Sequence, residues 1–153
     1  MKSRTLLLIM VILINGCAFM GSIHQDDKSL RLVTEEFDPL LTNIYQYKSK
    51  FGEYPKQLNP ETSDLFANVS EYTNEFMTMN KEYSGYTFIY KVNKNASEFT
   101  ITILGIRHLV HIGNMLDYHI TLVFHSSGKY AQKPHQHVKK RIGKWALIEE
   151  WHA

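Results

Sequence analysis

Four patterns of apolar and polar positions divide the chain. Leu6 to Ile14 is an unbroken apolar run preceded by Lys2 and Arg4. From Leu30 onward apolar residues recur in steps of three and four (Leu30, Val33, Phe37, Leu40, Leu41, Ile44, Tyr47, Phe51), the spacing of one face of an amphipathic helix. Pro39 lies within that stretch, and a proline past the first turn removes one helical hydrogen bond and crowds the turn before it. Asp38-Pro39 would also serve as an N-cap followed by proline at the first helical position. Because the apolar stripe keeps its register across Pro39, the pattern predicts a single bent helix. Gly52 ends it as a C-cap glycine, and Tyr54-Pro55 extends the chain, since a residue before proline avoids the helical region.

The third pattern, Glu61 to Tyr83, is irregular. Thr62-Ser63-Asp64 predicts the cap of a short helix running to Tyr72, with Phe76, Met77 and Met79 in a second helical piece or a loop. The fourth is alternation of period two. Tyr86, Phe88, Tyr90 and Val92 share one face, as do Phe99, Ile101 and Ile103, and then Tyr118, Ile120, Leu122 and Phe124. Turn residues separate these runs at Asn93 to Ala96 and Ser126 to Lys129. A short return strand is expected at Lys129 to Gln132 and a final strand over Ile142 to His152, while Arg107 to Asn114 reads either as an irregular connection or as a distorted strand extension. Short strands joined by tight turns imply an antiparallel sheet. The expected domain, residues 29–153, is therefore α+β, with an N-terminal amphipathic helix packed on one face of that sheet.

Charge and cysteine content bear on the N-terminus. The chain has 17 Lys plus Arg against 15 Asp plus Glu, and two of those basic residues, Lys2 and Arg4, lie in the first sixteen positions with no acid beside them. Beyond residue 16 the balance is neutral, so no general attraction to nucleic acid is expected. The local run Lys139-Lys140-Arg141 with Lys144 reads as a solvated turn. A charged start, a short apolar centre and a small residue before a cut are the marks of an export signal, and Leu6 to Ile14 is too short for a membrane span of about 20 residues. Ile14-Asn15-Gly16-Cys17 resembles the lipobox of bacterial lipoproteins. That resemblance implies a signal peptide over residues 1–16, cleavage after Gly16, and diacylglyceryl transfer to the Cys17 sulfur. Residues 17–28 would then be the lipidated N-terminus and its tether. Cys17 is the only cysteine, so no internal disulfide is available, and lipidation gives the thiol a role. With Ala18 and Phe19 rather than Asp after the cysteine, the resemblance implies the periplasmic face of the outer membrane in a Gram-negative cell.

A second resemblance lies at the helix end. Ile44, Tyr45, Tyr47, Phe51-Gly52-Glu53-Tyr54-Pro55 and Leu58 are similar to the segment that closes the long helix of type II secretion pseudopilins and some type IV pilins. Gly52 would stop the helix, Tyr54-Pro55 turn the chain and Leu58 pin the loop, ahead of an antiparallel sheet. The match covers about twenty residues. No prepilin peptidase site accompanies it, so assembly into a filament by that route is not implied. No late run of Asp matches the calcium-binding pseudopilins, and a shared fold does not by itself carry a shared activity.

Candidate chemistry is sparse. His108, His111, His119, His125, His135, His137 and His152 fall late in the chain. His135 and His137 would share a strand face, and His119 and His125 share parity, but zinc needs three or four converging ligands, and no metal site is expected. Ser126-Ser127 beside His125 lacks a nucleophile elbow. Glu149-Glu150 would sit on opposite strand faces and are expected to be edge-strand charges. Tyr86, Tyr90, Trp145 and Trp151 read as core rather than as a ligand platform. The sequence thus predicts a membrane-anchored envelope lipoprotein without catalytic residues or a cofactor beyond the lipid, whose domain binds a protein partner in secretion or envelope assembly. A ligand- or metal-binding module and a small inhibitor or immunity-type lipoprotein are the alternatives.

Overall fold

The computed structural model describes residues 26–74, 77–110, 117–130 and 134–152. Cys17 and the segment around it lie outside the described residues. The first element, α1, is one continuous helix, Asp27–Phe51, which runs through Pro39. Asp26 caps it. Its carboxylate accepts from the backbone N–H groups of Lys28 at 3.1 Å and Ser29 at 3.0 Å, and from the Ser29 hydroxyl at 2.7 Å. These bonds, that of the Ser29 hydroxyl foremost, hold the carboxyl below the usual carboxylate range. Asp27 and Lys28, assigned from sequence to the tether, form the first helical turn instead.

Gly52 ends α1 with φ +83 and donates its N–H to the Lys48 carbonyl at 2.8 Å. An added Cβ there would meet nothing within 4 Å, so the demand for glycine comes from the backbone alone. Gly52→Ala is expected to destabilise the domain by about 1 kcal/mol, read as a lower urea midpoint at unchanged slope. The following loop is pinned at three points. The Tyr54 N–H donates to Ala96 O at 3.0 Å, the Tyr90 hydroxyl donates to Pro55 O at 2.7 Å, and Leu58 is fully buried.

Seven strands follow: β1 (Ser70–Asn74), β2 (Met77–Tyr83), β3 (Tyr86–Val92), β4 (Phe99–Val110), β5 (Asp117–His125), β6 (Gln136–Ile142) and β7 (Trp145–His152). They form one sheet in the order β1-β2-β3-β4-β5-β7-β6, with every neighbour antiparallel. The class is α+β. Leu30, Val33, Phe37, Leu40, Leu41 and Ile44 of the helix share one core cluster with Phe88, Phe99, Ile101, Ile103, Ile120, Leu122, Phe124, Trp145 and Leu147 of the sheet. The Phe37 ring lies 5.5 Å from Tyr83, 5.5 Å from Phe88 and 5.7 Å from Trp145 between centroids.

Several sequence expectations are corrected. The helix expected to reach Tyr72 is a three-residue 3-10 turn, Asp64–Phe66, capped by Ser63. The chain then forms the β1–β2 hairpin where loop or helix was expected; Phe76 lies outside the described residues. Lys81 obscures the β2 pattern. It pairs with Phe88 in register, and its side chain is only 13% exposed while its ammonium reaches Glu71 at 3.3 Å, so its stem lies along the sheet with the charge at the margin. Ser84 and Gly85, at φ 53 and 80, form the two-residue β2–β3 turn, both central residues having the positive φ of a type I′ turn.

Lys129 and Tyr130 are not in a strand, and the rest of the expected return strand lies outside the described residues. The return strand is instead β6, which carries the basic run. Lys139, Lys140 and Arg141 belong to an edge strand rather than a turn, with a register irregularity between Val138 and Lys140. Lysines and a bulge are devices that blunt an open edge. Gly143 and Lys144 make the β6–β7 turn, with Gly143 at φ 57. β7 is consequently an interior strand. Glu149 is no edge charge: it accepts from Lys139 at 2.6 Å. The connection from β5 must pass β7 to reach the edge. Near that crossing the Tyr130 hydroxyl donates to Lys144 O and its ring lies 4.8 Å from the Arg141 guanidinium.

Candidate functional site

A cleft of about 480 Å³ runs between one side of α1 and the β6–β7 hairpin. The helix lines it with Arg31, Thr34, Glu35, Asp38, Leu41, Thr42 and Tyr45, positions three and four apart that recur on one side. From Arg31 to Tyr45 that wall is about 21 Å long at 1.5 Å per residue. The opposite wall is Ile142, Gly143 and Lys144, and Phe124 and Trp145 join the floor.

The floor is apolar and tightly held. Leu41, Phe124, Ile142 and Trp145 are each less than a tenth exposed. Aromatic contacts carry the floor into the core: Tyr45 to Phe99 at 5.9 Å, Phe99 to Phe124 at 5.5 Å, Phe124 to Trp145 at 5.3 Å, Trp145 to Phe37 at 5.7 Å. Such a linked set of rings cannot shift one member without moving the others. Tyr45 closes one end at 37% exposure, and burial and the neighbouring Tyr54 phenol push its hydroxyl above the ordinary tyrosine value.

The rim is charged. Arg31, Glu35 and Asp38 stand on the helix and Lys144 on the hairpin, and none of the four makes an ion pair among the described residues. The basic side chains of β6 are occupied otherwise: Lys139 with Glu149, Lys140 with Asp27, Arg141 over the Tyr130 ring. An apolar floor with unpaired charges of both signs around it is the composition of a recognition surface.

The residues singled out from sequence fall as follows. Gly52, Tyr54, Pro55 and Leu58 together shape the loop after α1, away from the cleft lining. His135 does not share a strand face with His137. It precedes β6 at φ 69, in a turn, while His137 lies exposed on the edge strand. Among the residues whose side chains are described, no three His, Cys, Asp or Glu groups converge. The Ser127 hydroxyl lies 2.8 Å from His125 Nδ1, but within an exposed turn that it helps close. Ser126 is engaged in accepting from the Phe99 N–H at 2.9 Å. Tyr86 and Trp145 contact Phe37, and burial drives the Tyr90 hydroxyl far above its ordinary value, so it remains a neutral donor to Pro55. The Trp151 side chain lies outside the described residues. The cleft itself was missed. The signal available in sequence was the polar stripe Arg31, Glu35, Asp38, Thr42 beside the apolar one, together with a glycine turn at Gly143.

No family model, curated protein or solved structure matches the chain. Among the described residues no helix is long and apolar enough to cross a membrane.

Proposed function

We propose that this protein is an envelope lipoprotein, held to a membrane through lipid on Cys17, whose pilin-like two-layer domain binds a protein partner in the cleft between α1 and the β6–β7 hairpin. One observation carries the reading: a floor of Leu41, Phe124, Ile142 and Trp145 is bordered by four charges that make no ion pair among the described residues. The occupant is a partner segment with one large apolar side chain seated on that floor, a basic group opposite Glu35 and Asp38, and an acidic group opposite Lys144. Pairing those charges on binding is what gives such a surface its selectivity. The domain acts by holding rather than by catalysis. No nucleic acid enters the scheme.

Site-specific photo-cross-linking tests this. A photoreactive residue at Thr42 is expected to yield a discrete adduct in the source cells, and one at Lys94, on the β3–β4 turn outside the cleft lining, none. Combined Glu35→Lys and Asp38→Lys substitution should reduce the Thr42 adduct at least about tenfold without changing the far-UV circular dichroism. An adduct indifferent to those charges, or formed equally from Lys94, rejects the cleft as the docking site.

A further inference from the structure

The walls and floor of the cleft limit the shape of chain that can lie in it. Phe124, Trp145 and Ile142 are direct neighbours in register across β5, β7 and β6. At about 4.8 Å between strands that row is about 10 Å wide, which matches the diameter of an α-helix. β5 and β7 are paired on both sides, so their backbone groups are spent within the sheet. From β6 the lining takes only Ile142, itself paired with Trp145. The Lys144 carbonyl accepts from the Tyr130 hydroxyl. On the opposite wall the backbone of α1 is bonded within the helix. Pro39, which has no N–H, leaves the Glu35 carbonyl without its helical donor, but that is one isolated acceptor and not a ladder. An extended segment laid in the cleft would hold its own N–H and C=O groups against apolar side chains without partners, at a cost in free energy. A helix satisfies its backbone internally.

We infer that the occupant is an amphipathic α-helix of a partner protein, laid with its apolar face along the cleft. The inference rests on the cleft being the docking site and adds the shape and charge order of what docks there. Along α1 the wall includes Arg31, Glu35, Asp38 and Leu41, each three or four residues from the next and so about one turn further along the same side. A complementary helix presents, in the same spatial order, an acid, one or two bases and a large apolar residue, all on one face at steps of three and four. A second acid, on the other edge of that face, meets Lys144. The three helix charges and Lys144 make no ion pair among the described residues, so these pairings need displace none within the domain. Grooves that accept a helix read anchors at this periodicity.

Cross-linking with residue mapping separates a helix from an extended chain. Photoreactive residues are placed singly at Arg31 and at Thr42 of the full chain in the source cells, and mass spectrometry locates each attachment point on the partner. The two positions are about 17 Å apart along α1. Over that distance a helical partner advances about eleven residues and an extended one about five. The expected result is two attachment points in one partner segment, separated by about eleven residues in either direction. Should loss of the Arg31 charge suppress its adduct, Thr34, also in the lining, replaces it, and the separation expected is about eight residues against about four for an extended chain. A separation near the extended value overturns the helix and leaves the cleft as the docking site. No adduct from any of the three positions removes the docking site itself and this inference with it. Attachment to a second copy of this chain overturns the assignment to a partner protein.

Discussion

Phe37→Ala is expected to cost about 3–5 kcal/mol of folding free energy, the range for removing a large buried aromatic side chain. Phe37 is fully buried at the middle of the apolar stripe of α1, and its ring meets Tyr83, Tyr86, Phe88 and Trp145. Among the described residues no other helix residue has ring contacts to as many strands of the sheet. Truncation would remove a side chain that spans from β2 to β7, and the rings around it cannot all close the void because Trp145 is also held by Phe124. A domain of this size has only about 5–15 kcal/mol in total, so the variant should lie close to its unfolding threshold. Urea denaturation followed by tryptophan fluorescence measures the loss. Phe51→Ala provides the contrast: Phe51 is 52% exposed and rests mainly on Tyr47, 4.4 Å away on the same helix. Its loss should stay within about 1 kcal/mol. A Phe37→Ala cost as small as that of Phe51→Ala would mean that the helix stripe and the sheet do not share one core.

The contrast also shows which parts of the fold were legible in the sequence. The helix could be read because its period holds over six buried positions and its stop is a glycine in the left-handed region. β3, the first half of β4 and most of β5 could be read because one face alternates cleanly into the core. β2 could not, since a lysine stands at the position opposite Phe88 and covers the sheet with its stem. β6 could not, because three consecutive basic residues look solvated until one sees that each has a partner from another element: Glu149, Asp27 and Tyr130. Strand order was invisible. No local pattern states that the chain passes over β7 before returning beside it, yet that crossing makes β7 interior. The cleft depends on it. The polar side of α1 becomes a wall only when the β6–β7 hairpin stands opposite.

Cys17→Ser is expected to abolish incorporation of labelled palmitate and to move the protein from the membrane to the soluble fraction. A serine hydroxyl is not ionised at neutral pH, whereas the cysteine thiolate is the attacking species in thioether formation, so the diacylglyceryl group would have no acceptor. Nothing else in the N-terminal sequence replaces it. The run Leu6 to Ile14 has nine residues, about 14 Å as a helix against a hydrocarbon core of about 30 Å. Each buried acyl methylene contributes about 0.8 kcal/mol, and two chains suffice for stable attachment where one does not. The anchor would also set where the cleft can work. Asp26, the cap of α1, is nine residues beyond Cys17, which at full extension places it within about 30 Å of the lipid. A partner recognised in the cleft would therefore be one that presents its segment close to the same bilayer. If the Cys17→Ser protein retains label and still fractionates with membranes, both the anchor and this restriction on the partner fail, while the Phe37 measurement remains independent of that outcome.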